Sequence, residues 1–149
     1  MAVMAVSKFE RFFRVAAGLD IDKDDLKRYS DFVHHKIHDL LIRGEANAKA
    51  NLRDVIEVWD LPITKGLQER INEFRKLDDD IELQPILETL ATWPQLDAEL
   101  ARDTVSELPD IAGGLSVALA RSFAIIDPKV HNPATEHWER AFRLFDLLV

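Results

Sequence analysis

The stretch from Lys23 to Asn51, KDDLKRYSDFVHHKIHDLLIRGEANAKAN, decides the fold. It has no proline. Leu26, Tyr29, Val33, Ile37, Leu40, Leu41, Gly44 and Ala48 recur at steps of three and four, the spacing of one face of an α-helix. At 1.5 Å per residue such a helix is roughly 40 Å long. That exceeds what a compact domain of this size needs. A stripe sustained to the end must be buried against something nearly as long.

A second stretch answers this. Leu100, Thr104, Leu108, Ile111, Leu115, Leu119, Phe123 and Ile126 give another long stripe, predicted as a helix over Ala98–Ile126 with Asp97 as its cap. Pro109 inside it implies a kink or local break. Gly113-Gly114 permits close approach of another backbone. Around the first long helix lie a short helix over Ser7–Ala17, with Ser7 and Glu10 in a capping-box pattern, and a third helix over Leu61–Leu77 capped by Asp60. Asp22 or Asp24 caps the long helix itself, and Val55–Val58 reads as a brief extended segment. Around the second lie a helix over Leu83–Ala91 and a last one over Ala134–Leu148. Asp78-Asp79-Asp80 marks the junction. The chain thus reads as short helix, long helix, loop and medium helix, twice over, divided as residues 1–79 and 80–149. Laid across each other, the two long helices would cover both stripes, in one compact all-α unit.

The chain has 149 residues and no cysteine, which excludes disulfides, thiolate metal sites and cysteine nucleophiles. The N-terminal MAVMAVSKFERFF is charged too soon for a signal peptide, and no run reads as long enough to span a membrane. A cytoplasmic protein with no membrane association is the expectation. The net charge is −8. Residues 1–77 carry 14 Lys and Arg against 13 Asp and Glu, whereas residues 78–149 carry 5 against 14. A polyanion is tolerated by the first part and repelled by the second.

This order of helices resembles the histone fold, and the whole resembles a histone doublet. The residues that carry the likeness are Ala17-Gly18 at the end of the first helix and, above all, Arg53 and Asp60 in LRDVIEVWDL. Histones carry an arginine in the loop after the long helix and an aspartate seven residues later, and the pair ties the loop to the third helix. A guanidinium and a carboxylate at a helix start suit each other on physical grounds as well. FERFFRVAAGLDIDKDDLKR and NPATEHWERAFRLFDLL further resemble a family of small bacterial histone-like proteins with two histone folds in one chain. The resemblance implies an intramolecular pseudodimer, nucleoid association and DNA as a partner. Two departures bear on this. Asp54 and Val55 stand where DNA-binding histones place a lysine and a threonine against phosphate. Asn132 and Glu139 stand at the clamp spacing in the second half, so the Arg–Asp pair is not kept there.

Lys8, Arg11, Arg14, Lys23, Lys27, Arg28 and Lys49, with Arg53, are the candidate phosphate contacts, and a histone fold gathers these positions on one edge. Asp20, Asp22, Asp24, Asp25 and Asp54 are interspersed, so the alternative is a mixed solvated surface. His34 and His38 share a helix face and have metal-ligand spacing, as do Asp31 and His35. No glutamate follows His34, so the zinc-protease arrangement is absent, and a polar helix face is the simpler reading. Trp59, Trp93 and Trp138 read as core or rim packing before base-stacking platforms. There is no phosphate loop, dinucleotide fingerprint or nucleophile elbow. The expectation is a non-enzymatic architectural protein with no cofactor and no small-molecule substrate, binding DNA weakly or with a partner's help. The alternative is a protein-interaction module, self-associating or bound to another protein, that has lost DNA.

Overall fold

The computed structural model describes residues 3–93 and 95–149. It is predominantly helical: α1 (Val3–Ala17), α2 (Asp25–Ala50), β1 (Val55–Ile56), a 3-10 turn over Val58–Asp60, α3 (Lys65–Ile81), α4 (Gln84–Leu90), β2 (Glu99–Leu100), α5 (Arg102–Ile126) and α6 (Thr135–Leu148).

α1 begins at Val3, four residues ahead of the expected Ser7 start, so Ser7 lies inside the helix and caps nothing. Its end is as the sequence indicates. Gly18 takes φ +66, its N–H donates to the Arg14 carbonyl, and that of Leu19 reaches back to Phe13. Phe9, Phe12 and Phe13 are fully buried. In α2 all eight residues of the stripe are buried. Neither Asp22 nor Asp24 caps it by a side-chain bond. Instead the Asp25 carboxylate accepts the Asp22 N–H at 3.1 Å.

Three other boundaries differ from expectation, each because a hydrogen bond outweighs the local pattern. The third helix starts at Lys65, with Thr64 as the cap that accepts the Leu67 N–H at 3.1 Å. Asp60 closes the preceding 3-10 turn, and Pro62 lies between the two. Asp78-Asp79-Asp80 lies within α3, which runs on past the expected Leu77 end, and the Asp78 carboxylate accepts the N–H groups of Leu83 and Gln84 at the start of α4. α5 starts at Arg102 rather than Ala98, because Glu99 and Leu100 are drawn into a strand. Asp97 therefore does not cap it.

That strand is one of two places where distant loops meet. β1 and β2 pair in parallel, Val55 opposite Glu99 and Ile56 opposite Leu100. Glu99 donates to the Asp54 carbonyl and Ala101 to that of Ile56, both at 3.0 Å. Thr104, buried in the first turn of α5, also donates to Ile56 O at 2.8 Å. The loop after α2 is thereby joined to the loop before α5. At the opposite end the Asp20 N–H donates to the His131 carbonyl at 2.7 Å, joining the loop before α2 to the loop after α5. α2 and α5 therefore run in opposite senses. Between the ends, the Tyr29 hydroxyl meets Ser116 Oγ at 2.5 Å, both buried.

α5 is the central helix. It passes through Pro109 without a break. At 25 residues it is long and apolar enough to cross a bilayer by length and composition, contrary to the sequence expectation, but most of its apolar window lies inside the fold. α3 packs along it. The Phe74 ring covers Gly113, and the Ile71 backbone lies against Gly114 so closely that a Cβ there would sit 2.9 Å from Ile71 N. Gly66, by contrast, has open space around it.

Two glycine replacements should therefore act in opposite directions. Gly114→Ala is expected to destabilise by about 1–3 kcal/mol, because overlap with backbone outweighs the gain in helix propensity of about 1 kcal/mol. Gly66→Ala is expected to stabilise by about 0.4–1 kcal/mol. Urea denaturation checks both, and a stabilised Gly114→Ala variant would contradict the packing described.

Candidate nucleic-acid interface

The loop after α2 is tied by Arg53. Its guanidinium grips Asp60 with two bonds, Nη1 to Oδ2 at 2.7 Å and Nη2 to Oδ1 at 2.6 Å, and Nη1 also donates to the Val55 carbonyl at 3.1 Å. Asp60 is only 3% exposed and accepts the Glu57 N–H at 2.8 Å. Its own carbonyl accepts Asn47 Nδ2 from α2 at 2.7 Å. The hydrogen bonds from Arg53 hold the Asp60 carboxyl below its ordinary value of 3.8; burial opposes this and the Glu57 N–H adds to it. The clamp read from the sequence is formed, and it occupies Arg53 structurally.

Beyond the clamp, this end of the molecule is acidic. Asp54 is exposed. Lys49 pairs with Asp97 at 3.3 Å and with Glu45 at 3.8 Å. The other candidate cations lie towards α1 and the first loop. Lys8 and Arg11 donate to the carbonyls of Glu82 and Asp80 at 3.2 and 3.4 Å, at the C-terminal end of α3, where the helix dipole favours cations. Arg14 pairs with Asp20 at 3.5 Å. Arg28 donates to Thr135 Oγ1 at 2.8 Å and lies 3.9 Å from Asp25. Lys23 and Lys27 have no ion pair among the described residues; with Val6, Asp24, Leu26 and Ser30 they border a shallow hollow between α1 and α2.

The second half is tied differently. His137 Nε2 meets Asp127 Oδ2 at 3.0 Å, and Nδ1 accepts the Ala134 N–H at 2.9 Å. Both bonds are made by a neutral imidazole with its proton on Nε2. Asp127 also accepts the Lys129 N–H at 3.1 Å, and its carboxyl is held below the usual range, chiefly by the bond from His137. Asn132 and Glu139 take no part in this tie. The signal for it was Asp127 before a proline and His137 in the first turn of the last helix.

His34 and His35 are exposed and His38 half-buried on α2, with His34 Nδ1 3.4 Å from Thr92 Oγ1. Among the described residues no three His, Asp or Glu side chains converge. Trp138 is fully buried and Trp93 lies at the rim, but Trp59 is 75% exposed, against the packing expected for all three, because the 3-10 turn points it outward. Sequence reading missed Lys36. It is 3% exposed on the buried side of α2, with Nζ 2.7 Å from Asp146 of α6 and 3.4 Å from Asp39. Its position between Val33 and Leu40 on the stripe was the available sign.

A family described as a domain of unknown function, DUF1931, matches residues 9–146. A relative from Aquifex aeolicus (strain VF5), described as an uncharacterised protein, is 32% identical over 108 residues, covering 72% of this chain and 63% of its own length. The chain thus spans less than two thirds of that relative. A second protein of the same organism and description is 32% identical over 130 residues, covering 78% and 75%. A crystal structure of a protein from Thermus thermophilus is similar with a TM-score of 0.87 at 56% identity, over 97% of both chains. A crystal structure of a protein from Aquifex aeolicus is similar with a TM-score of 0.85 at 27% identity, over 97% of this chain and 95% of that one.

The clamp sets a pH dependence. Because the folded Asp60 carboxyl titrates below 3.8, its contribution is present above that pH and is lost as pH falls through the lower folded value. Arg53→Ala and Asp60→Asn should both lower the urea midpoint at about pH 7, and the gap between Asp60→Asn and the parent should narrow at about pH 3. A gap that is the same at both pH values would contradict the clamp as a charged pair.

Proposed function

The chain belongs to the DUF1931 family, and from that premise we propose that it is a histone-fold doublet acting as a non-enzymatic architectural protein. Two helix–long helix–helix halves fold together as an intramolecular pseudodimer. The support is the double loop exchange: the last loop of residues 1–79 pairs with the first loop of residues 80–149, and the first with the last. The Arg53–Asp60 clamp adds to this.

In this reading the protein associates with DNA, and hence with the nucleoid in the cytoplasm, from one end only. The observation that carries this is that Lys23 and Lys27, on the hollow they share with Asp24, make no ion pair among the described residues. The opposite end, with Asp54, Asp97 and Glu99, repels phosphate. Contact through two to four cations gives weak binding that falls with log salt at a slope of about −2 to −4. The protein needs no cofactor for this.

A second reading, a protein-interaction module without DNA, is favoured by a different observation: large apolar side chains stand exposed at the ends of α5 and α6. Capture of a protein partner after nuclease treatment tests it.

A salt-titrated mobility-shift assay on duplex DNA tests the first reading. Binding is expected at low salt and should be lost in Lys23→Glu/Lys27→Glu. No binding at the lowest salt, or unchanged binding by that variant, overturns it.

A further inference from the structure

Ile125 at the end of α5, and Leu147 and Leu148 at the end of α6, are 81%, 80% and 77% exposed. Between these helices runs a groove of about 300 Å³, with Ala118, Ser122 and Ile125 on one wall and Leu144 and Leu148 on the other. Two hollows continue it. One extends over α5 to the start of α3, past Arg70 and Arg121. The other follows α6 past Arg140 and Arg143. The three linings together hold four arginines and no carboxylate side chain, in a chain with 27 acidic residues against 19 basic ones. Three of the arginines have partners outside the linings: Glu73 for Arg121, Glu69 and Glu73 for Arg70, and Glu136 for Arg140. Arg143 has no ion pair among the described residues.

We propose that this groove docks an acidic amphipathic helix of a partner protein. A concave apolar channel between two helices accepts side chains from one face of a third, at i, i+3, i+4 and i+7. Arg143 then meets a carboxylate on the border of that face, where guanidinium–carboxylate pairing fixes register, and the already paired arginines leave that border without a repelling acid in the linings. A second copy of the chain fits less well. A two-fold contact brings the same arginine-bordered apolar patch to both sides, so it offers Arg143 no carboxylate side chain from the linings. An anionic membrane also fits less well, because the groove is concave and the chain carries a net charge of −8. The inference rests on the second reading above and names the chemistry of its partner. It concerns a surface separate from α1 and the first loop, so DNA binding does not bear on it.

Fluorescence anisotropy with two labelled synthetic helices tests it. One carries leucine at i, i+3, i+4 and i+7 and glutamate elsewhere; the other replaces every glutamate by lysine. The glutamate peptide should bind at least about tenfold more tightly, and the preference should shrink as salt is added. Leu148→Asp, at an exposed position, should abolish that binding with an unchanged circular dichroism spectrum, and Arg143→Glu should reduce the preference. Failure of both peptides, or equal binding of the lysine peptide, overturns the proposal. So does a dimer in sedimentation that Leu148→Asp dissolves, or a stronger, Leu148-dependent affinity for phosphatidylglycerol vesicles. Capture of a nuclease-resistant partner by a chain that binds neither peptide would sink this groove while sparing the broader reading.

Discussion

The Tyr29 hydroxyl fixes how the two long helices meet. Buried away from water, it must donate to something, and an unpaired hydroxyl there would cost about 1–3 kcal/mol. Ser116 already donates to the Ala112 carbonyl at 2.7 Å, so its oxygen is free to accept from Tyr29. The register of α2 against α5 brings the two hydroxyls together and so satisfies Tyr29. Burial pushes the Tyr29 phenol well above its ordinary range, so it remains a donor at any ordinary pH. Phe9 and Phe13 of α1 set their rings edge-on against Tyr29, at 4.9 and 5.4 Å between centroids. The aromatic cluster thus closes over the same point.

From that register the ends follow. With α2 and α5 antiparallel, each loop before a long helix comes beside the loop after the other one, and the backbone groups of both pair across. The two ends are then finished with different chemistry. Arg53 and Asp60 use a charged pair; Asp127 and His137 use a neutral ring that both donates and accepts. The cations that a phosphate-binding edge would need are drawn towards carbonyls and acids at most positions, leaving Lys23 and Lys27 apart. Part of the apolar surface that is left over lies at the far ends of α5 and α6, among arginines.

Much of this was legible in the sequence because it depended on periodicity. The α2 stripe, the presence of a second long helix, the Arg53–Asp60 spacing and the close approach at Gly113-Gly114 all follow from residue type and step. What was not legible depended on contacts between distant residues. The strand at Glu99–Leu100 exists only because Asp54 and Ile56 offer carbonyls to Glu99 and Ala101. Asp78 caps α4 across a turn, although a run of three aspartates read locally as a boundary. Lys36 is buried because Asp146 reaches it from the other end of the chain. Trp59 is exposed because a short 3-10 turn, invisible to a helical pattern, turns it outward.

The central claim is that α5 is the common core on which α2 and α3 from earlier in the chain pack together with α4 and α6, so that these helices hold as one unit. Native-state hydrogen exchange tests it most directly. Buried amides of α2 and α5 are predicted to exchange with one common free energy of opening, equal to that of global unfolding by denaturant. If α2 or α5 opens separately at a clearly lower free energy, while the other remains protected to the global limit, the account is contradicted.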